Sequence, residues 1–152
     1  IPTNIAPVTD TPFDFQNPCT IGERINSLKD VMGSGGGYDH NFCVDDVDGT
    51  LKLAAEVKYD KTTLQVLTTS PGLQFYSGNY LGPSDLSADG AASPGPDQPT
   101  ITGKGGVVYE RQGGFALEAQ EYPDAINNIG VFPNCVVKDG EEKLHVMVYK
   151  CW

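Results

Sequence analysis

The sequence predicts an all-β protein built as a layered antiparallel β-sandwich, and three observations carry that prediction. Eighteen glycines and eleven prolines punctuate the 152 residues, which divides the chain into many short strands joined by turns. No long stretch rich in Ala, Leu, Glu and Lys offers a sustained helix. Leu51–Tyr59 sets Leu51, Leu53, Ala55, Val57 and Tyr59 on one face and Lys52, Glu56 and Lys58 on the other, the period-two pattern of a half-buried strand. The length allows one domain with its own core.

The elements follow in order. Residues 1–18 read as extended chain, because Pro2, Pro7, Pro12 and Pro18 remove backbone donors at intervals. Cys19–Asp30 has room for a short helix, with Ile21, Ile25 and Leu28 at helical spacing. The glycines of Gly33–Gly37 make a flexible connector. After the Leu51–Tyr59 strand, Asp60-Lys61 turns the chain and Thr62–Thr69 runs back, which predicts a hairpin. Pro71-Gly72 ends it, and a third strand spans Leu73–Tyr80. Residues 81–105, rich in proline, glycine and small polar residues, read as a long surface loop. Further strands are expected at Gly106–Glu110, Phe115–Gln120, Val131–Lys138 and Glu142–Trp152, the last two joined around Asp139-Gly140.

Charge and composition exclude several functions. A net charge of −10 repels phosphate backbones, so neither nucleic acid nor an anionic membrane surface is an expected partner. No apolar run approaches the roughly 18–20 residues of a spanning helix. Cys19, Cys43, Cys135 and Cys151 lie far apart with no C-x-x-C pair, which argues against zinc. They fit either disulfides in an exported protein, slightly favoured, or thiols in a cytosolic one. The chain starts at Ile1 without a signal-peptide layout, so either a longer precursor was cut before it or it is part of a longer chain.

Among residues able to do chemistry, strand parity puts Ala116, Glu118 and Gln120 on one face, opposite Phe115, Leu117 and Ala119. A glutamate flanked by apolar residues on a strand suits proton transfer if it lies in a cleft. A solvent-facing carboxylate is the plainer reading. Gln74 and Tyr76 share a face, and bond either a polar ligand or each other. Asp39-His40, after a glycine run, reads as an Asx-turn in a loop. Two apparent motifs fail. Aligning Gly49 with the calcium-loop glycine puts Val44 and Ala55 where oxygen ligands belong. Gly33–Gly37 lacks the Lys-Ser/Thr of a phosphate loop. No G-x-S-x-G elbow is present.

The segments nevertheless form an ordered series: Thr11-Pro12-Phe13-Asp14-Phe15, Ile21-Gly22, Gly37-Tyr38-Asp39-His40-Asn41-Phe42, the run Thr68–Asn79 (TTSPGLQFYSGN), Gly103-Lys104-Gly105-Gly106, Leu117-Glu118-Ala119-Gln120 with Pro123-Asp124-Ala125, Phe132-Pro133 and Gly140-Glu141-Glu142. Over nearly its whole length this series resembles the second half of the galactose mutarotase (aldose 1-epimerase) family. The resemblance implies the C-terminal portion, residues 1–152, of one large β-supersandwich. It implies that Glu118 is the general base taking the proton of the anomeric hydroxyl. Asp39 corresponds to the carboxylate that grips sugar hydroxyls, and Gln74 to a glutamine lining the same pocket. The implied substrates are monosaccharides such as galactose and glucose, handled without cofactor or metal.

The same resemblance leaves the site incomplete. The family's acid histidine, a second substrate-binding histidine and an arginine come from the half that precedes this chain. His40 belongs to the Asp-His-Asn motif and His145 to the last strand, so neither replaces them. The implied partner is therefore an N-terminal fragment of the same precursor. Ser70 (often Glu or Gln in the family), the long 81–102 loop, Asn127-Asn128-Ile129-Gly130 and Cys151 depart from the family pattern. The alternative to an enzyme is a non-catalytic, lectin-like sugar-binding module on the same fold, and a third reading is a plain interaction domain.

Overall fold

A computed structural model describes residues 5–28, 36–45, 48–79, 81 and 101–152. Its regular elements are mostly strands: β1 (Asp39–Cys43), β2 (Lys52–Tyr59), β3 (Thr62–Thr68), β4 (Gly72–Tyr76), β5 (Ile101–Thr102), β6 (Val108–Tyr109), β7 (Ala116–Gln120) and β8 (Met147–Cys151), with one short helix, α1 (Ile21–Ile25). The all-β expectation holds. The strands order as β1-β4-β7, β2-β3-β8 and β5-β6. No helix among the described residues is long and apolar enough to cross a membrane.

The expected hairpin forms. β2 and β3 pair antiparallel from Lys52↔Thr68 to Tyr59↔Thr62, with a bulge between Leu53 and Ala55. Asp60 makes the turn with a φ of +51°, a left-handed conformation that aspartate tolerates better than most residues. β8 adds to the other side of β3, from Leu64↔Cys151 to Thr68↔Met147. Position i of a strand faces opposite to i+1, and the bulge shifts that alternation once. The apolar face read from Leu51–Tyr59 is nevertheless not buried: Leu53 is 53% and Tyr59 86% exposed.

The helix forms where expected, with Asn26–Leu28 continuing it as a 3-10 turn and burying Leu28. Other expectations need correction. Asp39-His40 begins β1 and is not in a loop turn, because the chain runs beside β4 from Tyr38 on, whose carbonyl accepts from the Ser77 amide. The third strand stops at Tyr76. Beyond it Gly78 takes a φ of +67° and Ser77 and Asn79 turn inward to hydrogen-bond. Val131–Lys138 is irregular: Pro133 lacks a donor for a ladder, and Asn134 Oδ1 takes the Val136 amide in a local turn. The last strand is shortened to Met147–Cys151, and the turn at Asp139-Gly140, closed by Glu141 N–H to Lys138 O, does not join two strands. Most of the expected 81–105 loop, residues 82–100, lies outside the described residues, and Ile101–Thr102 at its end pairs with Val108–Tyr109. All four cysteines are free thiols, which corrects the preference for disulfides.

Two compact units result, one formed by Asn41–Gln74 with Leu117–Trp152 and the other by Ala6–His40 with Phe75–Ala116. In the second unit the core is aromatic. Tyr38 and Phe75 stack at 4.8 Å, Phe15 meets both edge-on or tilted, and Phe13 and Phe115 extend the cluster. Such offset and edge-to-face pairs are favoured by the ring quadrupoles. The first unit buries Val66, Leu73 and Ala125.

Candidate functional site

In the first unit, β4 carries Gln74 and β7 carries Glu118 and Gln120. Glu118 is exposed while Ala116, Leu117, Ala119 and Gln120 around it are half-buried. The alternation of the strand thus presents the carboxylate to solvent on an otherwise covered segment. Two residues on, at the same parity, Gln120 turns its amide inward. Its Nε2 donates to Asn41 Oδ1 at 3.1 Å and to Gln74 Oε1 at 3.3 Å. Asn41 fits there because Gly72 has no side chain: a Cβ at Gly72 would lie 2.4 Å from Asn41 Oδ1. Three amides from three strands therefore form one linked group, of which the sequence singled out only Gln74. Gln120 was legible by its parity with Glu118, and Asn41 only through the turn-forming motif that contains it.

Asp39 lies in the second unit, exposed at the start of β1. Its backbone N–H donates to Nδ1 of His40 at 3.0 Å. An imidazole nitrogen that accepts is unprotonated, so His40 is neutral with its proton on Nε2. Burial lowers its pKa, with Asp39 opposing, and its ring packs on Phe13 at 4.5 Å. His40 is thus a packed, positioned ring.

Behind Asp39, the backbone is fixed by a polar lock that sequence reasoning missed. Tyr38 is fully buried; its N–H donates to Ser77 Oγ at 2.8 Å and its carbonyl accepts from Asn79 Nδ2 at 2.9 Å. Asn79 Oδ1 accepts from Ser77 Oγ and Gln112 Nε2. Arg111 donates to the carbonyls of Asn79 and Gly36. Gly37 takes a φ of +107°, and a Cβ there would lie 1.9 Å from Asn79 Oδ1; only glycine fits. No buried side-chain nitrogen or oxygen among the described residues lacks a partner.

Two further groups stand apart from the predicted site. Ser70, 5% exposed, pairs through Oγ with His145 Nε2. A position that departs from the family pattern is thus buried and paired at the entry to β4. A cavity of about 220 Å³ is lined by Phe42, Cys43, Val44, Asp45, Lys52, Leu53, Ala54 and Leu73, none of them a predicted site residue. Nearby Tyr122 has its pKa raised, chiefly by burial and then by its hydrogen bond with Cys43. No group of three or more His, Cys, Asp and Glu side chains among the described residues is arranged to hold a metal.

Comparison with known proteins places this arrangement. The model of a family described as aldose 1-epimerase matches residues 1–150. The chain is 38% identical to galactose mutarotase of Rattus norvegicus over 153 residues, covering 99% of this chain and 38% of that protein. It is 37% identical to galactose mutarotase of Homo sapiens over 155 residues, with the same coverages of 99% and 38%. To the aldose 1-epimerase of Escherichia coli K12 it is 33% identical over 146 residues, covering 94% of this chain and 37% of that protein. The chain spans less than two fifths of the length of these curated relatives. With a strand-rich fold, the motifs set on its strands, and a match along almost all of its length, the chain belongs to the aldose 1-epimerase family.

Proposed function

We propose that this chain is the base-bearing C-terminal portion of an aldose 1-epimerase that interconverts the α and β anomers of hexoses such as galactose and glucose. The observation that carries the reading is the exposed Glu118 carboxylate on β7, two residues from the amide that ties Gln74 to Asn41. Gly72 lies against the Gln120 carbonyl, 3.1 Å from where its Cβ would be. Gln74 is tied to β7 through Gln120, two residues along the strand from Glu118. A proton acceptor and a hydroxyl-binding amide on neighbouring strands suit a polar ring substrate. Asp39, exposed on β1 with its backbone held by the Tyr38 lock, is assigned to gripping sugar hydroxyls.

The chemistry needs two coordinated proton transfers. Glu118 takes the O1 proton as the C1–O5 bond breaks, and an acid delivers a proton to O5, giving the open-chain aldehyde. Rotation about C1–C2 presents the other face, and O5 re-adds to C1 as both protons return. Oxidation states do not change, so proton transfer alone suffices. One well-placed acid or base gives roughly 10²–10⁴-fold, so the two must act together. The acid histidine is assigned to the N-terminal portion of the same precursor. That portion also accounts for the exposed Leu53, Tyr59, Met147 and Trp152, since large apolar surfaces mark covered interfaces.

The test is polarimetry of α-D-galactose and α-D-glucose with the polypeptide that joins this chain to its N-terminal portion. Glu118→Gln keeps the shape but cannot accept a proton, and should lower kcat by about 10²–10⁴-fold with sugar binding retained. Full turnover in that variant overturns the assignment of the base. Sugar binding without turnover in the unsubstituted protein leaves the lectin-like module as the function.

A further inference from the structure

We propose that Tyr149, on the last strand, is a positioning residue for Glu118: its hydroxyl holds the peptide unit from which the base projects. The inference rests on the mutarotase reading and adds to it a residue that acts through the base without touching the sugar. Tyr149 Oη donates to the Leu117 carbonyl at 2.8 Å. That carbonyl and the Glu118 N–H belong to one planar peptide unit. Fixing its oxygen fixes the Glu118 nitrogen, and with it the direction in which the side chain leaves β7. Glu118 is exposed on a half-buried segment, so little packing steers the carboxylate and its backbone must.

The placement follows from the sheets. β7 and β8 stand at the ends of the orders β1-β4-β7 and β2-β3-β8, so the bond ties an edge strand of one sheet to an edge strand of the other. Tyr149 pairs with Val66 across β8 and β3, and cross-strand partners share a face. Val66 is fully buried, so the Tyr149 ring starts from the covered face of its sheet and its hydroxyl ends on β7. The segment before β8 also reaches the chain just past β7: Lys143 Nζ lies 2.6 Å from Glu121 Oε1 and donates to the Asn134 carbonyl at 3.1 Å. A partly exposed ion pair on a long side chain holds geometry weakly, whereas a tyrosine has two torsions and a rigid ring. Tyr149 is the stiffer of the two anchors. Its hydrogen bond is exposed, and water would serve either group in its absence. What the bond contributes is therefore mainly geometry.

The experiment uses the polypeptide joining this chain to its N-terminal portion, and follows mutarotation of α-D-galactose by polarimetry. Tyr149→Phe, Glu118→Gln and the double variant are compared with the unsubstituted protein, each beside a thermal melt. Tyr149→Phe keeps the ring and deletes only the hydroxyl. Because a displacement of about 1 Å costs a catalytic group about 10²-fold, the smaller shift expected here should lower kcat about tenfold. KM should stay within about twofold, and the melting temperature should be nearly unchanged. In the Glu118→Gln background the same substitution should change the remaining rate by less than about twofold, because the group it positions no longer accepts a proton. A hydroxyl that merely supports the fold would instead lower the melt and cost the same factor in both backgrounds, which overturns the proposal. So does an unchanged kcat in Tyr149→Phe, or a rise of KM alone. An unsubstituted protein without turnover sinks the mutarotase reading and this inference with it, whereas an active protein indifferent to Tyr149→Phe sinks this inference alone.

Discussion

The two units hold themselves together by different means. The unit of Ala6–His40 with Phe75–Ala116 is closed from inside, by stacked aromatic rings and by a polar lock in which each donor meets an acceptor. The unit of Asn41–Gln74 with Leu117–Trp152 has a well-registered ladder, β2-β3-β8, yet exposes Leu51, Leu53, Tyr59, Met147, Tyr149 and Trp152. Backbone pairing fixes register, but burial of apolar area supplies most of the stability. One unit is therefore held by buried rings and side-chain hydrogen bonds, though it too exposes Val107, Val108 and Tyr109, and the other by a backbone ladder flanked by exposed apolar side chains.

The largest expected effect tests the proposed covering of this ladder by an N-terminal portion. The 152-residue chain alone should be insoluble or molten, binding hydrophobic dye and lacking a cooperative melt. Joined to the N-terminal portion, it should melt in one transition. A sharp, cooperative melt of the lone chain would mean that the exposed face needs no cover.

Within the unit of stacked rings, Phe75→Ala removes the ring that meets Tyr38, Phe15 and Phe115, and should cost the assembled protein about 3–5 kcal/mol. Gly37→Ala is the smaller change in atoms but forces a Cβ into Asn79 at a positive φ. A left-handed penalty of about 1–2 kcal/mol and overpacking of about 1–3 kcal/mol predict a loss of about 2–5 kcal/mol by urea melts. Leu53→Lys probes the other unit. If Leu53 is covered in the assembled protein, the lysine should cost about 1.5–3 kcal/mol there. A change under about 0.5 kcal/mol, the usual surface value, would show that the face stays in water.

How much of this was legible follows from which interactions are local. The β2–β3 hairpin was readable because its alternation and its Asp60-Lys61 turn lie in one short stretch. The Ile21–Leu28 helix was readable for the same reason. Asp39-His40 was misread as a turn, since the strand that pairs with it is more than thirty residues away in sequence and leaves no local trace. Val131–Lys138 was misread because its valines mimic a strand, while Pro133 and Asn134 decide otherwise. At the candidate site, strand parity singled out Glu118 and Gln74, and the family resemblance supplied the roles expected of them. Gln120 and Asn41 were missed because a side chain's partners depend on sheet register, which strand parity alone does not give. The exposure of Leu53 was equally hidden, as alternation tells which face is apolar but not what covers it.

The smallest predicted effect lies in the loop before β2, where charge and geometry are both local. Asp48 Oδ1 accepts from the Thr50 hydroxyl at 2.6 Å and from its amide at 2.9 Å, and Lys52 Nζ lies 3.2 Å from Oδ2. These groups, the Thr50 hydroxyl first, hold the Asp48 pKa down at about 2. Because the folded value is depressed, the stabilisation is fully present above the unfolded value of about 3.9 and is lost as pH falls through about 2. The carboxylate is exposed, so solvent screening keeps its effect on stability small. Thr50→Ala removes the larger of the two contacts and should raise the Asp48 pKa toward its ordinary value, read by NMR titration of its side-chain carboxyl carbon. Lys52→Ala should raise it less. The reverse order would mean that charge, and not the Asx-type turn, shapes the approach to β2.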